Sequence, residues 1–499
     1  MIIKFSSEKD FEHLEGCVLT CGHFNTIHPG HIRYLKNAKE KDVKLVVALF
    51  GDKNNKNKKS YQFNQIERAE SLNQLSIVDE ILCIEGRDIE KIIYKIKPKN
   101  LILGKEFENT KDLEMQKAIN IQKKLKGNIN FHAGDIQYAT TELLSNSERD
   151  LSERRKNKFI SACKKQKISH KTMIDSIKNW ENTNLIVIGD LIIDQYAACE
   201  PLGLSAEAPV VVVKELERKN FLGGAAIVAS HINALGANCN LISVVGDDSI
   251  AKYAREELKK LGIGDSLVVD TSRPTTFKKR YVVENQKLFR VSQLEDHQLP
   301  AEVEDLVIEN LEKLVPSCGG IVISDFVYGV ITKKILKKIC KLSKKYNLLL
   351  FGDLQCSSQV GSILKFKDFS LLCPNEKEAR IALQNRESGL ESVSRELIEK
   401  TRAKNLIMKL GPEGFITFKK NHPDGWDSQP FPALTVNPLD VAGAGDSLLS
   451  VMATGMTSSQ NVMCTSAIAA CMSALAVQTM GNKPIDVSSL KKMIDKLFL

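Results

Sequence analysis

Apolar residues fall into two alternating rhythms along the first hundred positions. "CVLTC" from Cys17 and "VKLVVALF" from Val43 are short, nearly unbroken apolar runs, the pattern of strands covered on both faces. Between them, "HIRYLKNAKEKD" spaces Ile32, Leu35 and Ala38 three apart, as one face of a helix requires. The alternation continues through "NQIERAESLNQLS" (helix), "VDEILCIE" (strand), "RDIEKIIYKIK" (helix) and "NLILG" (strand). Repeated strand and helix predict a doubly wound parallel sheet, whose ligands sit at the carboxyl ends of its strands.

A second α/β pattern opens at "NLIVIGDLIID" and runs to Leu499. Two β-rich stretches, "APVVVVKELER" and "TTFKKRYVVENQKLFRVSQ", interrupt it and predict a small sheet set apart from the main one. The predicted organisation is an α/β domain over residues 1–145, a helical connector over 146–180 and a second α/β domain over 181–499. A chain of 499 residues is too long for one ordinary core, which agrees with two domains.

The formal charge of +9 is concentrated rather than spread. Ser147 to Trp180 holds ten Lys or Arg against four Asp or Glu, so the excess belongs to the connector. No aromatic-rich basic sheet or zinc-finger spacing accompanies it, and the segment reads as a solvated helical face, not a nucleic-acid surface. Twelve cysteines are scattered without a CxxC pair, the usage expected of reduced thiols in the cytoplasm. No run approaches the roughly 20 apolar residues of a membrane span, and the N-terminal residues lack the apolar core of a signal peptide.

Candidate chemistry appears at two places. In "CGHFNTIHPGH", His28 and His31 stand three apart around Pro29 and Gly30, directly before a helix. Both imidazoles and the first helical N–H groups can then face one point, which favours an anion; zinc would need further ligands at recognisable spacing. These residues resemble the HxGH signature of the nucleotidyltransferase superfamily, and the likeness extends through Arg68 to "ATTELL" at Ala139 to Leu144. The resemblance implies attack of a substrate phosphate on the α-phosphate of a nucleoside triphosphate, with pyrophosphate leaving. It makes His28 and His31 catalytic and gives phosphate or nucleotide contacts to Phe24, Lys39, Arg68, Thr140 and Thr141. Asn25 stands where that family commonly has Asp.

The second place is "DVAGAGDS", where Gly443, Ala444 and Gly445 lead into Asp446 at the head of a small-residue helix. Open N–H groups there can surround a phosphoryl group, and the Asp can accept a proton from an alcohol; a glycine turn with a capping Asp would look the same. The segment resembles the closing signature of the ribokinase-like (PfkB) sugar kinases, and other motifs of that family follow in order: "GDLIID" with Asp194, "FLGGAAIVASHINALGA" with Gly223 and Gly224, "PNEKEA" with Asn375 and Glu378, and "KLGPEG" with Lys409, Gly411 and Gly414. The resemblance implies Asp446 as general base, the N–H groups of Ala444, Gly445 and Asp446 as the anion hole with Gly443 among the phosphate-binding residues, magnesium associated with Glu378, ATP as phosphoryl donor, and the β-rich stretches as a lid that pairs two copies into a homodimer.

Within that family the chain most resembles the bifunctional heptose-phosphate kinase/adenylyltransferases, through "EAPVVVVKE" and "FKKRYVVENQKLFR", although those enzymes usually carry the kinase first. The implied substrates are a sugar phosphate and a nucleoside triphosphate, ATP or CTP, with Lys278, Arg280 and Arg290 available to a substrate phosphate. Two departures bear on the sugar: Ile227 replaces an Asn of the di-glycine motif, and "GDLQCSS" replaces an Asp-Pro-Lys turn. A cytidylyl product, and a kinase domain kept only to bind sugar, remain open alternatives.

Overall fold

Leu45–Leu49 is buried at every position because it is a central parallel strand covered on both faces. The computed structural model that shows this describes the chain except residues 1, 6–10, 26, 28, 41, 53–62, 87–88, 105–106, 108–111, 133–147, 208–209, 285, 357–358, 360, 387, 423–424 and 499. It divides into two compact units, Met1–Ser147 with Leu383–Leu397 and Glu148–Ala382 with Ile398–Leu499.

The first unit is built on six parallel strands: Ile2–Lys4 (β1), Val18–Gly22 (β2), Leu45–Leu49 (β3), Glu80–Cys83 (β4), Asn100–Gly104 (β5) and Asn128–His132 (β6). Their order is β1-β4-β3-β2-β5-β6. Alternate residues feed opposite layers, as a period of two demands: Leu45, Val47 and Leu49 join Val18 and Leu35 on one side, and Val46 and Ala48 join Leu19 and Ile92 on the other. Connections step outward from β2 to β3 and β4, then return to β5, so the strand order reverses between β2 and β5. The crevice above that reversal is where doubly wound folds bind ligands.

The main sheet of the second unit runs Gly264–Val269 (β11), Asn238–Val245 (β10), Asn184–Gly189 (β7), Gly320–Asp325 (β14), Leu349–Leu354 (β15), Leu371–Leu372 (β16), Asn405–Lys409 (β17), Phe415–His422 (β18) and Gly425–Phe431 (β19). It is parallel as far as β17 and antiparallel beyond. A separate four-stranded sheet, in the order Gln286–Gln293 (β13), Phe277–Val283 (β12), Leu191–Leu204 (β8) and Val211–Gly224 (β9), is the small sheet predicted from the β-rich stretches.

"NLIVIGDLIID" therefore makes two strands in two sheets, not one. Asp190 is the corner between them. Its buried carboxylate accepts the backbone N–H of Phe326 at 2.7 Å and those of Tyr328 and Val330 at 3.4 Å, pinning the turn to the loop after β14. Burial, then the Asp325 carboxylate, push the Asp190 carboxyl up to about 7.

The basic segment also differs from its reading as a solvated connector. Helices Glu148–Lys165 and His170–Lys178 send charges outward but bury Phe159, Cys163, Met173 and Ile177, together with Trp180 of the turn that follows, in the core that also holds Ala467 and Leu490. Charge counting sees the wet face of such a helix and misses the apolar stripe. Among the described residues no helix is long and apolar enough to cross a membrane. Phe159→Ala is expected to cost the second unit about 3–5 kcal/mol in urea unfolding; a solvated connector would lose no more than about 0.5 kcal/mol.

Candidate active sites

In the first unit the loop after β2 leaves the sheet at the reversal point. A methyl group added at Gly22 would lie 2.8 Å from Cε2 of Phe24, so glycine makes room for that ring. Phe24 adopts a positive φ of 46° and is buried, its ring 4.8 Å from that of His31 in the first turn of helix Pro29–Ala38. It acts as a wedge seating the loop on the helix rather than as an exposed nucleotide contact. The Thr20 hydroxyl donates to Tyr34, which donates to the Ile102 carbonyl at 2.9 Å, so the same helix is tied to both strands at the reversal.

Arg68 braces this loop from helix Gln65–Gln74. The side chain is 1% exposed and donates to the carbonyls of His23, Phe50 (2.9 Å) and Phe63 (3.2 Å) and to Asp52 (2.6 Å). So many committed donors describe a strut. Lys39 does not join the site. It pairs with Asp79, whose carboxylate accepts the N–H of Leu45 at the amino end of β3, and helix Pro29–Ala38 carries the chain about 15 Å from one end of the sheet to the other. His28, Thr140 and Thr141 lie outside the described residues.

The second unit gathers its predicted residues more fully. Asn375, Glu378, Lys409, Gly411, Gly414 and Gly443 to Asp446 border one cavity of about 680 Å³, whose remaining wall is largely apolar, including Phe415, Leu434, Val441 and Leu448. Gly443 has a φ of 80° and caps helix Ala444–Thr457; a side chain there would meet Oδ1 of Asn482 at 2.4 Å. Ser447 is the first residue whose N–H returns to the Gly443 carbonyl, so the N–H groups before it point toward the cavity end of the helix. A methyl group on Gly445 would lie 3.3 Å from Nζ of Lys409, which places a cation beside those donors.

Lys409, at the end of β17, bonds both oxygens of Asp353 at 2.8 and 2.9 Å. Burial works against its charge, but Asp353 and Glu378 outweigh that and hold the ammonium above the ordinary lysine value. Glu378 and Asn375 form a reciprocal cap on helix Glu376–Leu383, each accepting the other's N–H at 2.8 Å. Burial pushes Glu378 up while the Lys409 ammonium pulls it down. Asp446 has no such cation of its own. Burial, then the Asp353 carboxylate, raise its carboxyl to about 7, and its bonded neighbour is the neutral amide of Gln355 at 3.0 Å.

The small sheet closes over this end. Asp194 on β8 pairs with Arg280 on β12 and takes an N–H from Asn482 at 3.4 Å; a methyl group on Gly223 would lie 2.5 Å from its Oδ2. Gly224 caps helix Ala225–Ala234. Lys278, 3% exposed, sets its ammonium 5.0 Å from the ring centres of Phe326 and Tyr328. Arg290, exposed on β13, stands directly opposite Arg280. Ile227 is fully buried.

Sequence reasoning missed Asp353, Gln355 and Asp440. Asp440 receives Tyr196 and Lys287 from the small sheet, both at 2.7 Å, and ties it to the glycine loop. Asp353 is the penultimate residue of parallel strand β15 and Gln355 the first residue beyond it, and that position was itself the available signal.

Comparison with known proteins follows the same division. The description of the pfkB family of carbohydrate kinases matches residues 182–487, and the cytidylyltransferase-like family matches residues 19–169. The chain belongs to the pfkB carbohydrate kinase family. Similar curated proteins include the Bifunctional protein HldE of Desulfatibacillum aliphaticivorans, 27% identical over 321 residues, and that of Campylobacter jejuni subsp. jejuni serotype O:6, 31% identical over 314 residues. These matches take in 63% and 62% of this chain and 64% of each relative, so the chain spans just under two thirds of their length. Phosphofructokinase-2 from Escherichia coli, solved with substrates and products, shares the fold of the pfkB unit with a TM-score of 0.53 at 15% identity, over 63% of this chain and 99% of that one.

The pfkB cavity has a stability signature. The folded protein holds a proton on Asp446 that the unfolded chain releases near the ordinary value of 3.8. The stabilisation from that proton is complete below the unfolded value and is lost as pH rises through about 7. Asp446→Asn, neutral throughout, should melt above the parent at about pH 8, with the gap narrowing toward about pH 5; a gap of constant size would contradict the buried charge.

Proposed function

We propose that the chain is a bifunctional enzyme that makes a nucleotide-activated sugar. The kinase unit transfers the γ-phosphoryl group of ATP to the anomeric hydroxyl of a sugar phosphate resembling a heptose 7-phosphate. The first unit couples the resulting sugar 1-phosphate to a nucleoside monophosphate and releases pyrophosphate, after a separate phosphatase has removed the first phosphate.

The observation that carries this reading is the placement of Asp446 beside an open helix N-terminus and a buried ammonium, at one end of a cavity with an apolar wall. The wall suits a nucleobase, and the helix end and Lys409 suit the migrating phosphoryl charge. A carboxylate with raised proton affinity suits an alcohol proton. Magnesium fits the donor set: Glu378 is a buried carboxylate at the cavity, and among the described residues no cluster of three or more His, Cys, Asp or Glu forms a protein cage. The ion would thus be held by the nucleotide phosphates with Glu378, and would supply neutralisation of phosphate charge.

Asp194, Gly223 and Gly224 are assigned to the sugar, and Lys278, Arg280 and Arg290 to its phosphate. Arg280 is already paired with Asp194, and Arg290 stands exposed directly opposite it, so an anionic group would sit over the face that these two neighbouring strands share. His28 and His31 are assigned to charge on the α-phosphate, with Thr140 and Thr141 as further phosphate contacts. ATP is the proposed nucleotide of the first unit; the cytidylyltransferase-like match favours CTP as the second reading.

Leu202, Leu204, Val211, Leu216, Phe289 and Val291 are exposed on the small sheet, which supports pairing of two copies through it. The reduced cysteine usage supports a cytoplasmic location.

Pyrophosphate release from ATP and from CTP, with a panel of heptose and hexose 1-phosphates, checks the nucleotide and the sugar. His28→Ala should abolish pyrophosphate release and spare the kinase, whereas Asp446→Asn should lower kinase kcat roughly 10²–10⁴-fold and spare pyrophosphate release. Loss of both activities in either variant would contradict two separate sites.

A further inference from the structure

Gln355 follows the last residue of β15 and is fixed there by its own N–H, which donates to the Asp325 carbonyl at 2.8 Å. Its Nε2 donates to Oδ1 of Asp446 at 3.0 Å and lies 3.5 Å from Oδ2 of Asp353. Asp353 is in turn immobilised by Lys409 on both oxygens. A row of side chains therefore runs from the buried ammonium through one carboxylate and one amide to the other carboxylate. An amide nitrogen carries two N–H donors and no charge, so a single Gln can serve both carboxylates without neutralising either.

We propose that Gln355 is a positioning residue for phosphoryl transfer, holding Oδ1 of Asp446 so that Oδ2 takes the proton of the acceptor hydroxyl. The inference rests on Asp446 as the base. In the step it serves, the acceptor O–H gives its proton to Oδ2 while its oxygen bonds to the γ-phosphorus. The bond from that phosphorus to the bridging oxygen breaks, and its electron pair leaves with ADP.

The groups facing Asp446 explain why a neutral donor is needed. Asp353 at the end of β15 and Asp194 on β8 oppose its charge, and Lys409 on β17 favours it but is already clamped by Asp353. An ammonium in place of Gln355 would ion-pair with Asp446 and hold it deprotonated at lower pH, weakening it as a proton acceptor. An apolar residue would leave both its orientation and its charge unsupported.

The test uses the full-length protein with ATP and a heptose 7-phosphate, comparing Gln355→Leu and Gln355→Lys with the parent in kcat, KM for ATP, pH profile and melting temperature. Gln355→Leu is expected to lower kcat about 10- to 100-fold, the loss of one hydrogen bond to a charged group, with KM for ATP held within about 2-fold. Its acid limb should move to higher pH and that of Gln355→Lys to lower pH. Unchanged kcat and limb in the Leu variant, or a rise in KM alone, would overturn the inference, as would two limbs that stay in place while both rates fall with the melting temperature. Asp446→Asn separates the two levels: full turnover in that variant, or none in the parent, sinks the reading of the site itself, whereas a dead Asp446→Asn beside an unaffected Gln355→Leu sinks only the positioning role.

Discussion

The Lys409 ammonium is the interaction on which the kinase site depends. Glu378 and Asp446 are both buried near Asp353, whose carboxylate opposes the ionisation of each. One cation bound to both oxygens of Asp353 acts against that repulsion at both residues. Breaking such a pair leaves uncompensated charge in the interior, a cost of about 3–5 kcal/mol. The distribution is uneven, and the unevenness is the useful part. Asp353 receives the ammonium, whereas Asp446 receives only an amide, and burial and the Asp353 carboxylate leave the Asp446 carboxyl raised.

In each unit a loop that leads into a helix borders the candidate site, and side chains brace that loop. In the first unit the loop after parallel strand β2 leads into helix Pro29–Ala38; in the second, the glycine loop after antiparallel strand β19 leads into helix Ala444–Thr457, whose first N–H groups face the cavity. In the first unit Phe24 and Arg68 keep that loop in place from below; in the second, Asp440 does so by joining the glycine loop to the small sheet through Tyr196 and Lys287. Burial works against the Asp440 carboxylate, yet Lys287, the Ala442 N–H and Tyr196 hold it below the usual range. A sheet that covers the cavity is thus fastened to the loop that would contact the migrating group.

Where the fold is periodic, it was legible. The apolar runs of β2 through β5 and the β-rich stretches of the small sheet stand where their patterns put them, because a covered strand leaves few polar positions. Asp446 and its glycines stand at a helix start on the cavity, where their run of small residues put them; alone that run fits a glycine turn with a capping Asp equally well, and the accompanying motifs were what pointed to a site. The failures have physical causes. Lys39 is close to the histidines in sequence but a full helix away in space. Phe24 and Arg68 belong to a motif that mixes contact with support, and sequence does not say which. The strand "NLIVIGDLIID" changes sheets at Asp190, a corner made by backbone N–H groups some 140 residues further on. Gln355 was visible only as a departure from an Asp-Pro-Lys turn, since its importance lies in a contact with a residue 91 positions away.

The proposed role of Asp446 is to take the proton of an alcohol whose oxygen bonds to the γ-phosphorus of ATP at this helix end. It is tested most directly by the mass of the sugar product when the full-length protein is given a heptose 7-phosphate and ATP whose terminal phosphoryl group carries heavy oxygen. The labelled group is expected on the sugar as a second phosphate with the parent protein and not with Asp446→Asn. Label recovered only as inorganic phosphate, or transferred equally well by the variant, would contradict it.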